Sequence, residues 1–189
     1  MMEPLLHFFK KYFPRSSKRG SIIVENALLF PLLVTVLLGS YEMGRYILLQ
    51  QKLIRSSATI ADLVSRSATL TTAEIDDIFN ATRSVMVPFN TGANSVMIIS
   101  SVTRTGNNAP RVTWQRRGAG SLGTPSTIGV QGGNATLPPG FVLPPGDSLI
   151  AAEIVYNYSP TFFAQVFHAR TIHHYSYMHP RLSPQVVLN

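Results

Sequence analysis

The sequence predicts an α+β protein: a long N-terminal helix continues as the spine of a head that holds a second helix and a small antiparallel sheet. Three observations carry this prediction. An almost wholly apolar run, residues 22–41, is followed by a helical pattern that continues to about Ser67. A capping-box sequence then indicates a second helix. Four later segments alternate in polarity and are rich in β-branched and aromatic residues, as strands are.

Residues 22–41 are predicted to form a transmembrane helix. Because an α-helix rises about 1.5 Å per residue, twenty residues cover roughly 30 Å, the thickness of a bilayer's hydrocarbon core. The length of the run and its apolar character on every side disfavour a buried helix of a soluble domain. A cleaved secretory signal would have a shorter apolar region followed by small residues. We therefore expect the helix to remain in the chain, from about Ser21 to Ser67.

Positive charge is concentrated at the N-terminus. The 189 residues hold 16 Lys+Arg and 9 Asp+Glu, a formal charge of +7, and residues 1–20 contribute +4 of it. The positive-inside rule then favours a cytoplasmic N-terminus and places the C-terminal head on the other side of the membrane. A charge gathered beside a membrane span gives little support for a nucleic-acid partner. The absence of Cys excludes disulfides, a thiol nucleophile and any cysteine metal site.

The head begins with the capping box Thr71–Glu74, which predicts a helix to about Ser84. An asparagine pair, Asn107-Asn108, suggests a hairpin between the first two predicted strands. The four strands are predicted at Ser95–Arg104, Arg111–Arg117, Leu149–Tyr158 and Thr171–Met178. Residues 118–147 hold eight of the thirteen glycines and five of the thirteen prolines, so they form a separate long loop. Loops of this length are typically functional or mobile.

The head offers no arrangement typical of an enzyme. A G-x-G-x-x-G spacing occurs at 118–123, but neither an amphipathic helix nor an acid at the required distance follows it. Trp114 is interpreted as a core anchor, with a partner contact as the alternative. No nucleophile–base pair or paired carboxylates occur, so we expect no catalytic residues, no cofactor and no metal site. Four histidines near the C-terminus lack neighbouring acids or cysteines and are interpreted as strand residues: His168, His173, His174 and His179.

Glu25 is the most informative residue, because an ionisable side chain inside a membrane span is costly and points to function. The octapeptide K-R-G-S-I-I-V-E, residues 18–25, resembles the type IV prepilin processing motif, in which a membrane peptidase cuts after the glycine. The resemblance implies cleavage between Gly20 and Ser21. Glu25 would then be available to pair with the terminal amine of a neighbouring subunit. The alternative is that Glu25 extends towards the lipid headgroups.

A wider pattern surrounds this motif. V-E-N-A-L-L-F-P at residues 24–31, an apolar run and then E-M-G-R at 42–45 resemble the TadE-like family, minor pseudopilins of tight-adherence (Flp) pilus machines. The resemblance implies a basic leader at 1–20, a transmembrane segment at 21–45 and a periplasmic head at 46–189. Pro31 is expected to loosen the helix so that it can leave the bilayer and pack into an assembly.

The resemblance also implies a function, localisation and partners. The chain would be an inner-membrane, single-pass protein that helps to assemble a pilus by priming it, capping its tip or regulating it. Its partners would be a prepilin peptidase, other pilin and pseudopilin subunits, inner-membrane pilus assembly proteins and membrane lipid. The alternative is a membrane-anchored envelope binding module that is never processed and binds a ligand through loop 118–147.

Overall fold

A computed structural model describes the backbone of residues 18–189 and the side chains of residues 22–189. Residues 1–17 of the predicted leader, and the side chains of Lys18, Arg19 and Ser21, lie outside the described part. The chain divides into two compact units between Gly44 and Arg45.

The first helix, α1 (Lys18–Ser65), has 48 residues. It begins three residues before the predicted start at Ser21 and ends two residues before Ser67. Within the second unit, one face of α1 is buried. Five residues of that face are almost completely buried: Leu49, Leu53, Ser57, Ile60 and Val64. Three- and four-residue steps bring these side chains to one side of the helix, where the four apolar ones pack in the main core.

A second helix and two short strands follow α1. Strand β1 (Thr69–Leu70) leads to α2 (Thr72–Met86), and β6 (Val187–Leu188) near the C-terminus pairs with β1 in parallel. The capping box is confirmed, because the Thr71 hydroxyl accepts from the Glu74 amide and the Glu74 carboxylate accepts from the Thr71 amide. The β1–β6 pair was not predicted.

Four longer strands form the sheet. They are β2 (Ser95–Thr103), β3 (Arg111–Gly118), β4 (Ser148–Tyr158) and β5 (Arg170–Met178). Their order across the sheet is β3-β2-β4-β5, and all three pairings are antiparallel. Each predicted strand lies within one residue of an observed strand at both ends. The α+β fold class is therefore confirmed.

The main core lies between the helices and one face of the sheet. Ile75 and Phe79 of α2 join the α1 side chains, and alternate sheet residues such as Ile99 and Ile154 face them. Trp114 on β3 is buried, and its indole N–H donates to the Val186 carbonyl at 2.8 Å. This contact places the tryptophan in the core and connects β3 to the C-terminal segment. The interpretation of Trp114 as a core anchor is confirmed.

The loop 118–147 covers part of the opposite face of the sheet. Its Ile128 and Leu143 are buried in a second cluster with β-strand residues such as Val102 and Leu149. Leu122 packs on a third cluster of sheet residues. The loop therefore gives the sheet a second apolar layer, which its Gly and Pro content did not predict.

Two glycines of the G-x-G-x-x-G spacing are required by packing. A Cβ at Gly118 would lie 2.3 Å from the Phe79 ring, and one at Gly120 would lie 2.1 Å from the Ser95 carbonyl oxygen. These contacts explain the spacing as close packing against α2 and β2.

Alanine substitutions at Gly120 and Gly123 are expected to differ in their effect on the stability of the head. Gly120→Ala forces a methyl group against backbone and should destabilise the head by about 1–3 kcal/mol, as overpacking does. Gly123→Ala is the matched control, because a Cβ there meets no atom within 4 Å. Thermal unfolding of the full chain followed by circular dichroism checks this. Equal midpoints for the two variants would contradict the packing explanation.

Candidate functional site

The candidate site is the N-terminal part of α1, residues 20–45. Its large apolar side chains are exposed around the helix, with Ile23, Leu28, Phe30 and Leu37 each more than two-thirds exposed. Among the described residues, one helix is long and apolar enough to cross a membrane, and this segment is its most apolar stretch. Exposed apolar surface costs about 25 cal/mol per Å² in water, so lipid or other helices must cover this surface. The segment can thus anchor the chain as a single-pass membrane protein.

Glu25 lies on this uncovered surface, in the second turn of α1, and is exposed. Helical spacing puts it on the same side as Leu28, Leu29 and Leu32. A carboxylate among apolar side chains is costly in lipid unless a positive partner approaches it. The second acid of the motif, Glu42, is buried. The two acids therefore occupy different environments, and it is Glu25 that faces outwards.

The Gly20–Ser21 peptide bond lies in the first turn of α1. The first amides of a helix have no intrahelical acceptor, so this turn is the easiest one to unwind. Cleavage after Gly20 requires this turn to open into an extended chain. Nothing in the structure tests the cleavage, which stays a prediction.

Pro31 is inside α1, and the helix continues through it. Proline has no amide hydrogen, so the carbonyl of Ala27 loses its normal helical donor. On the next turn, the Thr35 hydroxyl donates to the Pro31 carbonyl at 2.8 Å. One main-chain hydrogen bond is thus missing near the middle of the apolar run. The proposed loosening of the helix at this point stays a prediction.

The C-terminal histidines lie in different places in the structure and have different neighbours. His174 faces α1, where its Nε2 is hydrogen-bonded to Gln50, while His173 lies on the other face of β5. His179 follows the last residue of β5, and its Nδ1 lies 3.1 Å from the Ser148 carbonyl and 3.5 Å from Asp147. The nearby Asp147 was missed because it lies 32 positions before His179 in the sequence. Within residues 22–189, no group of three His, Cys, Asp or Glu side chains comes together.

His174 is expected to make the head less stable at mildly acidic pH. Desolvation by burial lowers the pKa of His174 from its ordinary 6.5, so the unfolded state binds more protons just below that value. Stability should fall as the pH drops from about 7.5 through 6.5. Denaturation midpoints at several pH values should show a shallower decline in His174→Gln than in wild type. The exposed His168→Gln serves as control, and a decline as steep in His174→Gln as in wild type would contradict this role.

Sequence reasoning missed Glu153, a carboxylate that is 1% exposed on β4. Its Oε1 accepts from the Thr127 amide at 3.0 Å and from the Thr127 hydroxyl at 2.7 Å. Its Oε2 accepts from the Ser126 hydroxyl. The available signal was a single acid within the otherwise apolar run Leu149–Tyr156. Through these hydrogen bonds, Glu153 holds loop 118–147 against the sheet.

Comparison with known proteins finds the TadE family, described as TadE-like protein, at residues 20–62. No curated protein and no solved structure matches the chain. The matched range begins at the predicted processing site and contains Glu25, Pro31 and Glu42. TadE-like proteins are a structural and assembly family associated with tight-adherence pilus systems, and the match covers less than a quarter of this chain. The resemblance predicted from residues 24–45 is confirmed, and α1 carries the TadE-like segment of this chain over residues 20–62.

Proposed function

We propose that the chain is a minor pseudopilin that helps to assemble a tight-adherence pilus by priming it, capping its tip or regulating it. The observation that carries the proposal is the TadE-like match over a helix whose apolar surface and acid are both exposed. An uncovered helix of this kind can lie in lipid before assembly and against other helices afterwards. The concentration of positive charge in residues 1–20 favours an inner-membrane anchor with a cytoplasmic N-terminus and a periplasmic head.

Processing is the first step of the proposed pathway. A prepilin peptidase cuts between Gly20 and Ser21, and Ser21 gains a free, positively charged amine. The cut removes +4 of the formal charge of +7, so the mature chain carries only +3. The basic segment thus acts as an orientation and processing signal, and nucleic acid is not among the proposed partners.

Glu25 supplies the proposed assembly contact. When α1 packs against the helix of another subunit, the Glu25 carboxylate pairs with that subunit's terminal amine. Each charge alone is costly away from water, and pairing offsets both desolvation penalties. Since the pair forms only at one axial position of the two helices, it also sets their register. Pro31 assists by weakening the helix where it must adapt from lipid to protein neighbours.

The alternative function, an unprocessed envelope binding module, depends on loop 118–147 as its ligand site. The loop's apolar side chains Ile128 and Leu143 point into the head, and Glu153 holds its Ser126 and Thr127. Such contacts serve the fold of the head. They therefore favour the pseudopilin proposal, in which the function lies in α1.

A complementation experiment tests the proposal. Deleting the gene in a pilus-forming cell should abolish or strongly reduce pili, and the wild-type gene should restore them. Gly20→Ala should leave an uncleaved chain in the membrane and fail to restore pili, while Gly39→Ala, in open space on the same helix, should restore them. Normal piliation in the deletion strain would favour the binding-module alternative.

A further inference from the structure

The outer edge of β5 is open in the described part of the chain. β5 is the last strand of the sheet, and within residues 18–189 it pairs only with β4. No backbone hydrogen bond among these residues reaches its other edge. β5 also lacks the features that usually protect an edge, because it has nine residues, no proline, an uninterrupted register and, apart from Arg170 at its start, no Lys, Arg, Asp or Glu. Its outer backbone groups are available to a further strand.

The opposite edge of the sheet, β3, is protected. The Val112 amide donates to the Gly133 carbonyl at 3.0 Å, and the Gly132 amide donates to the Val112 carbonyl at 2.7 Å, so loop 118–147 pairs with the outer side of β3. Three arginines also lie in β3: Arg111, Arg116 and Arg117. Charges and covering loops keep a sheet edge from pairing with another chain. The contrast between the two edges indicates that β5 is the one that pairs.

α1 lies alongside β5 and runs in the same direction. At the start of β5, the Arg170 guanidinium lies 4.3 Å from the centre of the Tyr46 ring. In the middle of β5, the His174 Nε2 is hydrogen-bonded to Gln50. Just after β5, the Arg181 amide donates at 2.8 Å to the carbonyl of the last residue of α1. Later residues of β5 therefore meet later residues of α1.

Two exposed isoleucines of α1 lie beyond this edge. Ile47 is 49% exposed and Ile54 is 52% exposed. They come three residues before and four residues after Gln50, so they share its side of the helix. The buried Leu49 and Leu53 lie on the other flank of Gln50, towards the main core. Since β5 is the last strand, a strand added to it would pass beneath the two isoleucines.

The aromatic side chains of β5 form a row on the other face of the sheet. The His173 and Tyr175 rings stack with centroids 6.3 Å apart, and the Tyr175 and Tyr177 rings with centroids 6.5 Å apart. These positions alternate with His174, which faces α1, so the row faces away from α1. Tyr175 is 41% exposed. The open edge thus has exposed isoleucines above one face and an aromatic row on the other.

We propose that two copies of this chain pair through β5, as parallel strands related by a two-fold axis that runs along them. The rotation turns the second sheet over, so the aromatic row of each copy comes beneath the isoleucines of the other. At about 1.5 Å per helix residue and 3.3 Å per strand residue, Ile54 lies about two strand residues past His174. It is then at the level of the second copy's Tyr175 and Tyr177.

A second copy is the favoured occupant because one rotation covers the open edge and both exposed surfaces of each chain, as a self-complementary interface requires. Parallel pairing also keeps both α1 helices pointing in the same direction, as two chains anchored in one membrane need. Antiparallel pairing would point them in opposite directions. The inference goes beyond the proposed function and uses only its membrane anchoring.

The absence of native cysteines allows a direct test. Full chains carrying Ile54→Cys and Tyr175→Cys, each with its own affinity tag, are produced together in cells that lack a prepilin peptidase and other pilus proteins, and are treated with a short bifunctional maleimide. In the control, Val130→Cys replaces Tyr175→Cys, because Val130 is 70% exposed and lies in the turn that pairs with β3. We expect several-fold more mixed dimer with the cysteine at 175 than at 130.

Three results would overturn the inference. Equal yields at 175 and 130 would show that β5 does not pair with a second copy. Crosslinks between two Ile54→Cys chains would show that the helices lie side by side, and crosslinks between two Tyr175→Cys chains would indicate antiparallel strands. Because the cells contain no peptidase or other pilus protein, each result leaves cleavage after Gly20 and the role of Glu25 untouched.

A charge in the apolar contact provides a second measurement. Ile47→Lys, added to the Ile54→Cys chain, should lower the yield of mixed dimer several-fold, since a charge is costly between apolar side chains. Leu48→Lys is the matched control, because Leu48 is 40% exposed and lies on the side of α1 opposite Gln50. An unchanged yield with Ile47→Lys would contradict the proposed contact.

Discussion

Replacing Glu25 with Ala is expected to abolish assembly of this chain into pili while cleavage after Gly20 continues. Removing one partner of a buried ion pair costs about 3–5 kcal/mol, because the other charge is left without compensation. At about 1.4 kcal/mol per tenfold, such a loss weakens each contact at least a hundredfold. Glu25→Gln should behave in the same way, since the amide has the size of the acid without its charge.

The measurement compares processing and assembly in the same cells. Mass spectrometry of the membrane fraction reports cleavage, and immunodetection in sheared pili reports assembly. Val24→Ala is a suitable control because Val24 is an exposed neighbour on the same turn. If the Glu25→Ala chain is found in pili at wild-type levels, the carboxylate has no assembly role and only extends towards the headgroups.

Replacing Glu153 with Ala is expected to have the second large effect, a loss of stability of the head. Glu153→Ala leaves the Thr127 amide, the Thr127 hydroxyl and the Ser126 hydroxyl without their acceptor. Hydrogen bonds to a charged group contribute about 1.5–3 kcal/mol each and are not additive, so we expect a loss of about 3 kcal/mol. For a head of this size, that loss lowers the melting temperature by about 6–12 °C.

Thermal and urea unfolding of the full chain in detergent measure this effect. Asp76→Ala is the control, because Asp76 is an exposed acid on α2 and its removal leaves no buried donor. Glu153→Gln should fall between wild type and Glu153→Ala, since one amide oxygen still accepts. A loss in Glu153→Ala no larger than that of Asp76→Ala would show that loop 118–147 is held by its apolar contacts alone.

The sequence was most informative where the local pattern itself determines structure. Period-two alternation predicted the four strands to within one residue, and the Thr71–Glu74 capping box predicted the start of α2. The β1–β6 pair was missed because strands of two residues have no period to detect. The covering role of loop 118–147 was also missed, since it depends on Ile128 and Leu143 meeting side chains distant in sequence.

The same distinction applies to the residues of the candidate site: some are identified by the local sequence and others only by the fold. Glu25 and Pro31 could be singled out because an acid and a proline are rare within an apolar run. Glu153 and the Gln50–His174 contact could not, because their partners come from other elements of the fold.

Processing of α1 is the central claim, and the intact mass of the protein tests it most directly. The full chain is purified from cells with and without a prepilin peptidase. In the presence of the peptidase we predict the mass of residues 21–189, with Ser21 as the N-terminus, and without it the uncleaved mass. An unchanged mass in the presence of a peptidase that cleaves a known prepilin in the same cells would contradict the account.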